Sequence, residues 1–134
     1  HNMEFIKYNA NPKNKKTGDC MIRALSKALD KSWTECYTDL FNNTLKTCYS
    51  VSDKKNLKSY LKKLGYEMEK MPRKENNKRY TIEEFADNLA KKNETYIILI
   101  ANHITVIKDK ILYDTWNCKH KSVGNYWIIK NGNN

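Results

Sequence analysis

Three side chains in this sequence are of the types that together transfer acyl groups: a thiol at Cys20, an imidazole at His103 and a carboxylate at Asp114. A cysteine attacks only as thiolate, a histidine moves its proton near neutral pH, and a carboxylate beside the ring fixes its tautomer and steadies its charged form. Cys20 stands in "KKTGDCMIRALSKAL", directly after Gly18-Asp19, where an apolar helical pattern begins. A helix N-terminus offers that sulfur unpaired amide N–H groups and the positive end of the dipole, and both favour thiolate. The same amides, that of Cys20 above all, could donate to the oxyanion formed when a carbonyl is attacked. The expected division of labour has Cys20 attacking, His103 carrying the proton and Asp114 orienting the ring. Taken singly, each residue has a plainer role: Cys20 as a small buried apolar group, His103 as a hydrogen-bonded strand residue, and Asp114 as the start of an Asx turn.

Four helices and a run of strands must position these groups. Met21, Ile22, Leu25, Ala28 and Leu29 recur at helical spacing and predict a helix over 20–30, with Asp19 placed to cap it. Ser32 with Glu35 forms a capping box for a second helix carrying Trp33, Cys36, Tyr37, Leu40 and Phe41. Ser52 is placed to cap a third, with Leu57, Tyr60, Leu61 and Leu64 inward and Gly65 as its stop. Residues 69–79 read as an exposed loop, and Thr81 with Glu84 opens a fourth helix through about residue 92, burying Phe85, Leu89 and Ala90. Beyond Asn93 the pattern changes: "TYIILIA" suits a strand buried on both faces, and "HITVI", "ILYD" and "NYWIIK" follow. Helices first and strands after predict one α+β domain over residues 3–134, its N-terminal helices packed on a C-terminal, mainly antiparallel sheet. If Ile107 and Lys110 flank a two-residue turn, His103 falls directly opposite Asp114, with Ile104, Val106, Ile111 and Tyr113 on the other face.

Composition narrows the setting. The 134 residues suffice for one core, and their longest strongly apolar run, residues 96–101, is far below the ~18 needed to span a bilayer. No membrane segment is expected, and no secretory signal either, because no continuous apolar stretch precedes the first helix. Four scattered cysteines, Cys20, Cys36, Cys48 and Cys118, suit reduced thiols in a cytoplasm better than a disulfide framework. The net charge of +10 is uneven: residues 1–80 carry 18 Lys and Arg against 9 Asp and Glu, and residues 81–134 carry 7 against 6. That basic half would attract polyanions such as nucleic acid, while AT-rich coding alone also yields Lys- and Asn-rich surfaces. The face formed by Lys54, Lys55, Lys58, Lys62 and Lys63 could track phosphates or simply meet solvent. Cys118 and His120 with Cys36 and Cys48 lack the short knuckle spacing of a structural zinc site, so neither metal nor cofactor is expected. Trp116, Tyr126 and Trp127 could line a groove beside Asp114 or belong to the core.

"GDCMIRAL" opening a helix, followed by "NHITVI" and "ILYDTWN" on late strands, resembles the papain-like cysteine peptidases, in particular their small bacterial and phage members. The resemblance runs in order from residue 11 to 129 on three short motifs. It implies a cysteine peptidase fold with Cys20, His103 and Asp114 as the triad, Asn117 as an alternate orienting residue and a peptide or protein as substrate. It also implies a phage or mobile-element protein acting in a bacterial cytoplasm. The glutamine that usually precedes the cysteine as second oxyanion donor is missing, and Asn14 or Asn11 would have to replace it. A second reading keeps this fold without its chemistry, as a binding protein that inhibits a host protein or nucleoprotein through the basic half.

Overall fold

The computed structural model describes residues 3–130. Its elements in chain order are β1 (Glu4–Lys7), α1 (Cys20–Leu29), α2 (Trp33–Thr47), α3 (Lys54–Lys63), α4 (Ile82–Asn88), β2 (Glu94–Ile100), β3 (His103–Lys108), β4 (Ile111–Asp114) and β5 (Tyr126–Lys130). The strands form one sheet in the order β1-β4-β3-β2-β5. The three pairings among β2 to β5 are antiparallel, and β1 lies parallel to β4. The architecture is α+β, as expected, and the sheet is mainly antiparallel; the parallel edge strand β1 makes it mixed.

Both sheet faces are covered, which is why β2 reads as an uninterrupted apolar run. On one face α1, α2 and α3 pack Met21, Leu25, Leu40, Leu57 and Leu61 against Ile97, Ile104, Val106, Trp127 and Ile129. On the other, Phe85 and Ala86 of α4 meet Tyr96, Ile98, Ile107 and Leu112. Ala90, just past α4, is also buried, but the helix ends at Asn88 rather than near 92 and Leu89 is exposed.

Two helix starts follow the sequence and two do not. Ser32 accepts from the Glu35 amide at 3.1 Å while Glu35 accepts from the Ser32 amide at 2.9 Å, and Thr81 and Glu84 repeat the arrangement at the same distances. The cap of α3 is Asp53, not Ser52, and it accepts from the Lys55 amide at 2.8 Å. Asp19 precedes α1 but makes no side-chain cap bond, because its carboxylate is held elsewhere. Gly65, at φ 97°, follows the end of α3 as expected of a left-handed stop. Of the apolar residues on α2, Cys36 and Leu40 are buried together with Asn43, whereas Tyr37 and Phe41 are exposed. Asn43 replaces an apolar contact with hydrogen bonds to Asn56, at 2.9 Å to its side chain and 3.3 Å to its carbonyl.

The hairpin carrying His103 and Asp114 closes two residues away from the expected register. Lys108 pairs with Ile111, Ile107 with Leu112 and Val106 with Tyr113. The turn residues are Asp109 and Lys110, at φ 52° and 65°. Positive φ at both central positions is the type I′ geometry that matches strand twist. One step past the last pair, Thr105 rather than His103 stands across from Asp114. A shift of two preserves the faces, so His103 and Asp114 remain on one side of the sheet.

Candidate active site

β3 supplies His103 at its first residue and β4 supplies Asp114 at its last, at the end of the sheet where α1 begins. The ring Nε2 lies 2.7 Å from Asp114 Oδ2, a hydrogen bond inside a nearly dry setting: the side chains are 11% and 3% exposed. With Nε2 committed to the carboxylate, Nδ1 is the ring nitrogen left for a thiol. Cys20, partly buried at the first position of α1, lines the same small recess as Ile104 and Asp114 and lies close enough to the His103 ring and the Ile104 amide for both to act on its thiol. The structure therefore brings Cys20, His103 and Asp114 together.

Electrostatics follow from that convergence. Burial alone would raise the Cys20 thiol, but the His103 hydrogen bond, the Ile104 amide and the charges of His103 and Arg23 outweigh it and hold the thiol below its ordinary range. Burial alone would lower His103, but hydrogen bonds and charge from Asp114 and Cys20 push it up to about 9. Asp114 is opposed by its own burial and still held low, chiefly by His103, then by Thr105 and the Thr115 amide. Together these shifts favour a thiolate and an imidazolium over a neutral thiol and ring.

Around this centre lies a buried charge network that the motif did not show. Arg23 pairs with Asp19 one turn earlier on α1, and its Nη2 reaches to 3.8 Å from Asp114 Oδ1. Asp19 Oδ2 also accepts from Trp33 Nε1 at 2.8 Å and from Asn11 Nδ2 at 3.4 Å, which is why it does not cap the helix. The sequence signal for this pair was the i,i+4 spacing of Asp19 and Arg23. The Tyr8 amide, just past β1, donates to the Asp114 carbonyl at 2.8 Å and braces the carboxylate's backbone from the sheet edge. The Trp116 ring lies over His103, with centroids 5.2 Å apart, and is 42% exposed. Trp127 belongs to the core, and Tyr126 packs edge-on against Phe85.

The remaining expected residues sit apart from the chemistry. Asn117 is exposed and its Oδ1 accepts from the Lys119 amide at 3.3 Å, in a turn, while Asp114 holds the ring. Asn14 is exposed at φ 52°, and its Oδ1 accepts from Asn9 at 3.3 Å. Asn11 spends its side-chain amide on Asp19. The donors present at the thiol are thus backbone groups: the first ladder bond of α1 runs from Arg23 to the Asp19 carbonyl at 2.9 Å, and the Cys20, Met21 and Ile22 amides precede it.

The four cysteines do not converge on a metal site. Cys36 lies in the α1–α3 cluster, Cys118 in the cluster on the opposite face, and Cys48 is exposed. His103, Asp114 and Cys118 do lie within 4.8 Å of one another. Their spacing is that of hydrogen bonds, since 2.7 Å between Nε2 and Oδ2 is closer than the roughly 3.3 Å separating two donors on a tetrahedral ion with ~2.0 Å bonds. Burial also pushes the Cys118 thiol up to about 12, so it stays protonated and faces Asp114 Oδ2 at 3.8 Å as a donor.

These shifts predict a pH signature in stability. His103 holds its proton to about pH 9 when folded and to 6.5 when unfolded, so its contribution is complete below 6.5 and is lost as pH rises through 9. Cys20 acts oppositely: its contribution is complete above 9.0 and is lost as pH falls through its lowered value. Where the windows overlap the two offset each other. Cys20→Ala should therefore uncover the histidine slope that Asp114 still sustains, and lose stability as pH rises above 6.5, over a window that closes below 9 because the thiolate no longer supports the imidazolium. Urea melts of both proteins across that range check this. A variant as level as wild type contradicts the ion pair.

Comparison of the chain with protein-family models, with curated proteins and with solved structures gives no match.

Proposed function

We propose that this chain is a cysteine-dependent acyl-transfer enzyme of papain-like architecture that hydrolyses an amide or thioester in a peptide or protein. The observation that carries the reading is the His103 ring, bonded at 2.7 Å to the buried Asp114 carboxylate, which shares a recess with Cys20 at the mouth of α1. The papain-like assignment is supported by the order of parts: a helix opening on the cysteine, packed on antiparallel strands that carry the histidine and then the carboxylate.

In the first step the Cys20 thiolate adds to the carbonyl carbon and the carbonyl oxygen becomes an oxyanion facing the uncapped amides of α1. Collapse of that intermediate breaks the bond to the amine or thiol, which leaves with the proton from His103 and leaves a thioester on Cys20. Neutral His103 then takes a proton from water as the hydroxyl adds to the thioester, and the acid departs as Cys20 returns to thiolate beside imidazolium. Asp114 holds the ring for both transfers. A thiol of this kind works in a reducing compartment, such as the cytoplasm of a bacterial host, and all four cysteines are free.

Intact-mass spectrometry after mixing with an activated acyl thioester tests the proposal. One acyl group, mapped to Cys20 and disappearing with time, is expected for wild type. Cys20→Ala should carry none, and His103→Ala should acylate at least about a hundredfold more slowly. Acylation of Cys48 at the same rate as Cys20 would sink the reading. The lysine face of α3, exposed throughout, also suits a polyanionic partner and keeps the binding-protein alternative in play. That alternative expects Cys20→Ala to keep partner binding and charge reversal on α3 to abolish it.

A further inference from the structure

We propose that the cavity beside Cys20 selects the substrate, and that the substrate is a polypeptide presenting a large apolar side chain next to acidic residues. This rests on the acyl-transfer reading of Cys20. The cavity, of about 520 Å³, lies between the 11–19 segment and the start of α2. Met21, Ile22, Trp33, Tyr37 and Val51 give it an apolar lining. Its volume falls in the range of ligand pockets, and it opens to solvent on one side. Its walls are preset: the Trp33 and Tyr37 rings stack with centroids 5.4 Å apart and planes at 12°, and Trp33 is held through Nε1 by Asp19 at 2.8 Å.

Position ties the cavity to the chemistry. Asp19 and Met21, the chain neighbours of Cys20, both line it, which puts the cavity beside the mouth of α1 and within reach of a chain whose carbonyl lies at the sulfur. Charge identifies the flanks. Lys15 and Lys16 stand exposed at the rim, and the one carboxylate in the lining, Asp19, is buried and consumed by Arg23 and Trp33. The opening is therefore positive, on a chain of net charge +10 that draws acidic segments from a distance.

A polypeptide is favoured over a small acyl compound by what continues from the cavity. Tyr37 belongs both to its lining and to an exposed apolar row on α2, where Tyr37, Phe41 and Leu45 are 41%, 43% and 66% exposed. Residues at i, i+4 and i+8 stack along one helix face for about 12 Å, a track that a small molecule would leave empty and a chain would cover.

Short peptidyl aldehydes test the proposal, because a reactive thiol adds to the aldehyde carbon reversibly and the oxygen takes the proton. The panel places Phe or Gly at each of the last three positions, flanked by Glu or by Lys, and inhibition of acylation by the activated thioester gives the affinity. At one position Phe should bind about tenfold or more tighter than Gly, and Glu flanks should outdo Lys flanks, with that preference shrinking at high ionic strength. Tyr37→Ala should reduce the Phe preference, and joint Lys15→Glu and Lys16→Glu should reverse the flank preference. Aldehydes that bind within about twofold of one another, or not at all, while Cys20 still acylates, overturn the pocket and leave the acyl-transfer reading standing. If Cys20 fails to acylate, that reading falls, and equilibrium binding of the same peptides as amides to Cys20→Ala decides the pocket alone: the same Phe and Glu preferences support it, and their absence overturns it.

Discussion

Iodoacetamide at about pH 6 should alkylate Cys20 orders of magnitude faster than Cys36 or Cys118 in the folded protein. Only thiolate displaces the iodide, so the rate at each site follows the fraction ionised together with access to reagent. Burial pushes Cys36 and Cys118 up to about 12, which leaves almost no thiolate there at any moderate pH. Cys20 has the opposite balance, because His103, the Ile104 amide and Arg23 outweigh its partial burial. Replacing the exposed Cys48 by serine removes the one other accessible thiol, so the label reports Cys20 alone. The alkylation rate should already be high below the ordinary cysteine range of ~8.5, and His103→Ala should move its rise up towards that range and cut the rate near pH 6 by at least about tenfold. If Cys20 labels no faster than Cys36 or Cys118, the activated thiol is absent and the proposed chemistry goes with it.

The sequence brought His103 and Asp114 together by an argument whose register was wrong, and the reason it survived is instructive. The expected turn at 108–109 and the observed one at 109–110 differ by a two-residue slip in pairing, and side chains alternate faces with a period of two. An even slip keeps both residues on one face and moves them from directly opposed to diagonal, a separation that an imidazole and a carboxylate can bridge. A one-residue slip would have placed Asp114 on the far side of the sheet. The cue that fixes the turn is that both central residues have φ above zero, which Asp109 tolerates more easily than Lys110 does, and nothing in the lysine's identity announces it.

Other features were hidden for different reasons. β1 is a four-residue edge strand in which Glu4, Ile6 and Lys7 are exposed, so it carries no alternation to detect, yet the Tyr8 amide that follows it anchors Asp114. Asp19 fits the sequence pattern of a cap because short acids before helices usually are caps, but a buried arginine one turn on and an indole N–H outcompete the backbone amides for it. On α2 the apolar spacing of Trp33, Tyr37 and Phe41 is truly helical. Beyond the half-buried Trp33 it marks an exposed row, because Asn43, satisfied by Asn56, lets the neighbouring face pack inward instead. Periodicity identifies an apolar face and leaves open whether the partner that covers it belongs to the same chain.

Asp114 is where fold and chemistry depend on one side chain, and its variants should separate the two. Its Oδ2 binds His103 Nε2 at 2.7 Å and faces Cys118 Sγ at 3.8 Å, while Oδ1 accepts the Thr115 amide at 2.6 Å and lies 3.8 Å from Arg23 Nη2. Asp114→Ala strips a buried guanidinium and a buried imidazolium of their shared partner, and a loss of roughly 3–5 kcal/mol in urea melts near neutral pH is expected. That deficit should shrink in acid, because the carboxylate's contribution is present above its unfolded value of 3.8 and fades as pH falls through its lower folded one. Asp114→Asn keeps the shape, and its stability loss should be the smaller. Its chemistry should still weaken, because one amide oxygen cannot accept from both His103 and Thr115, and whichever it serves, the NH2 group is turned on another donor. The ring then loses either its orientation or the charge that holds it near 9. Acylation of Cys20 should fall in both variants, and further in Asp114→Ala, where nothing is left to accept from the ring, than in Asp114→Asn. An asparagine variant that acylates at the wild-type rate would show that the carboxylate serves the fold alone.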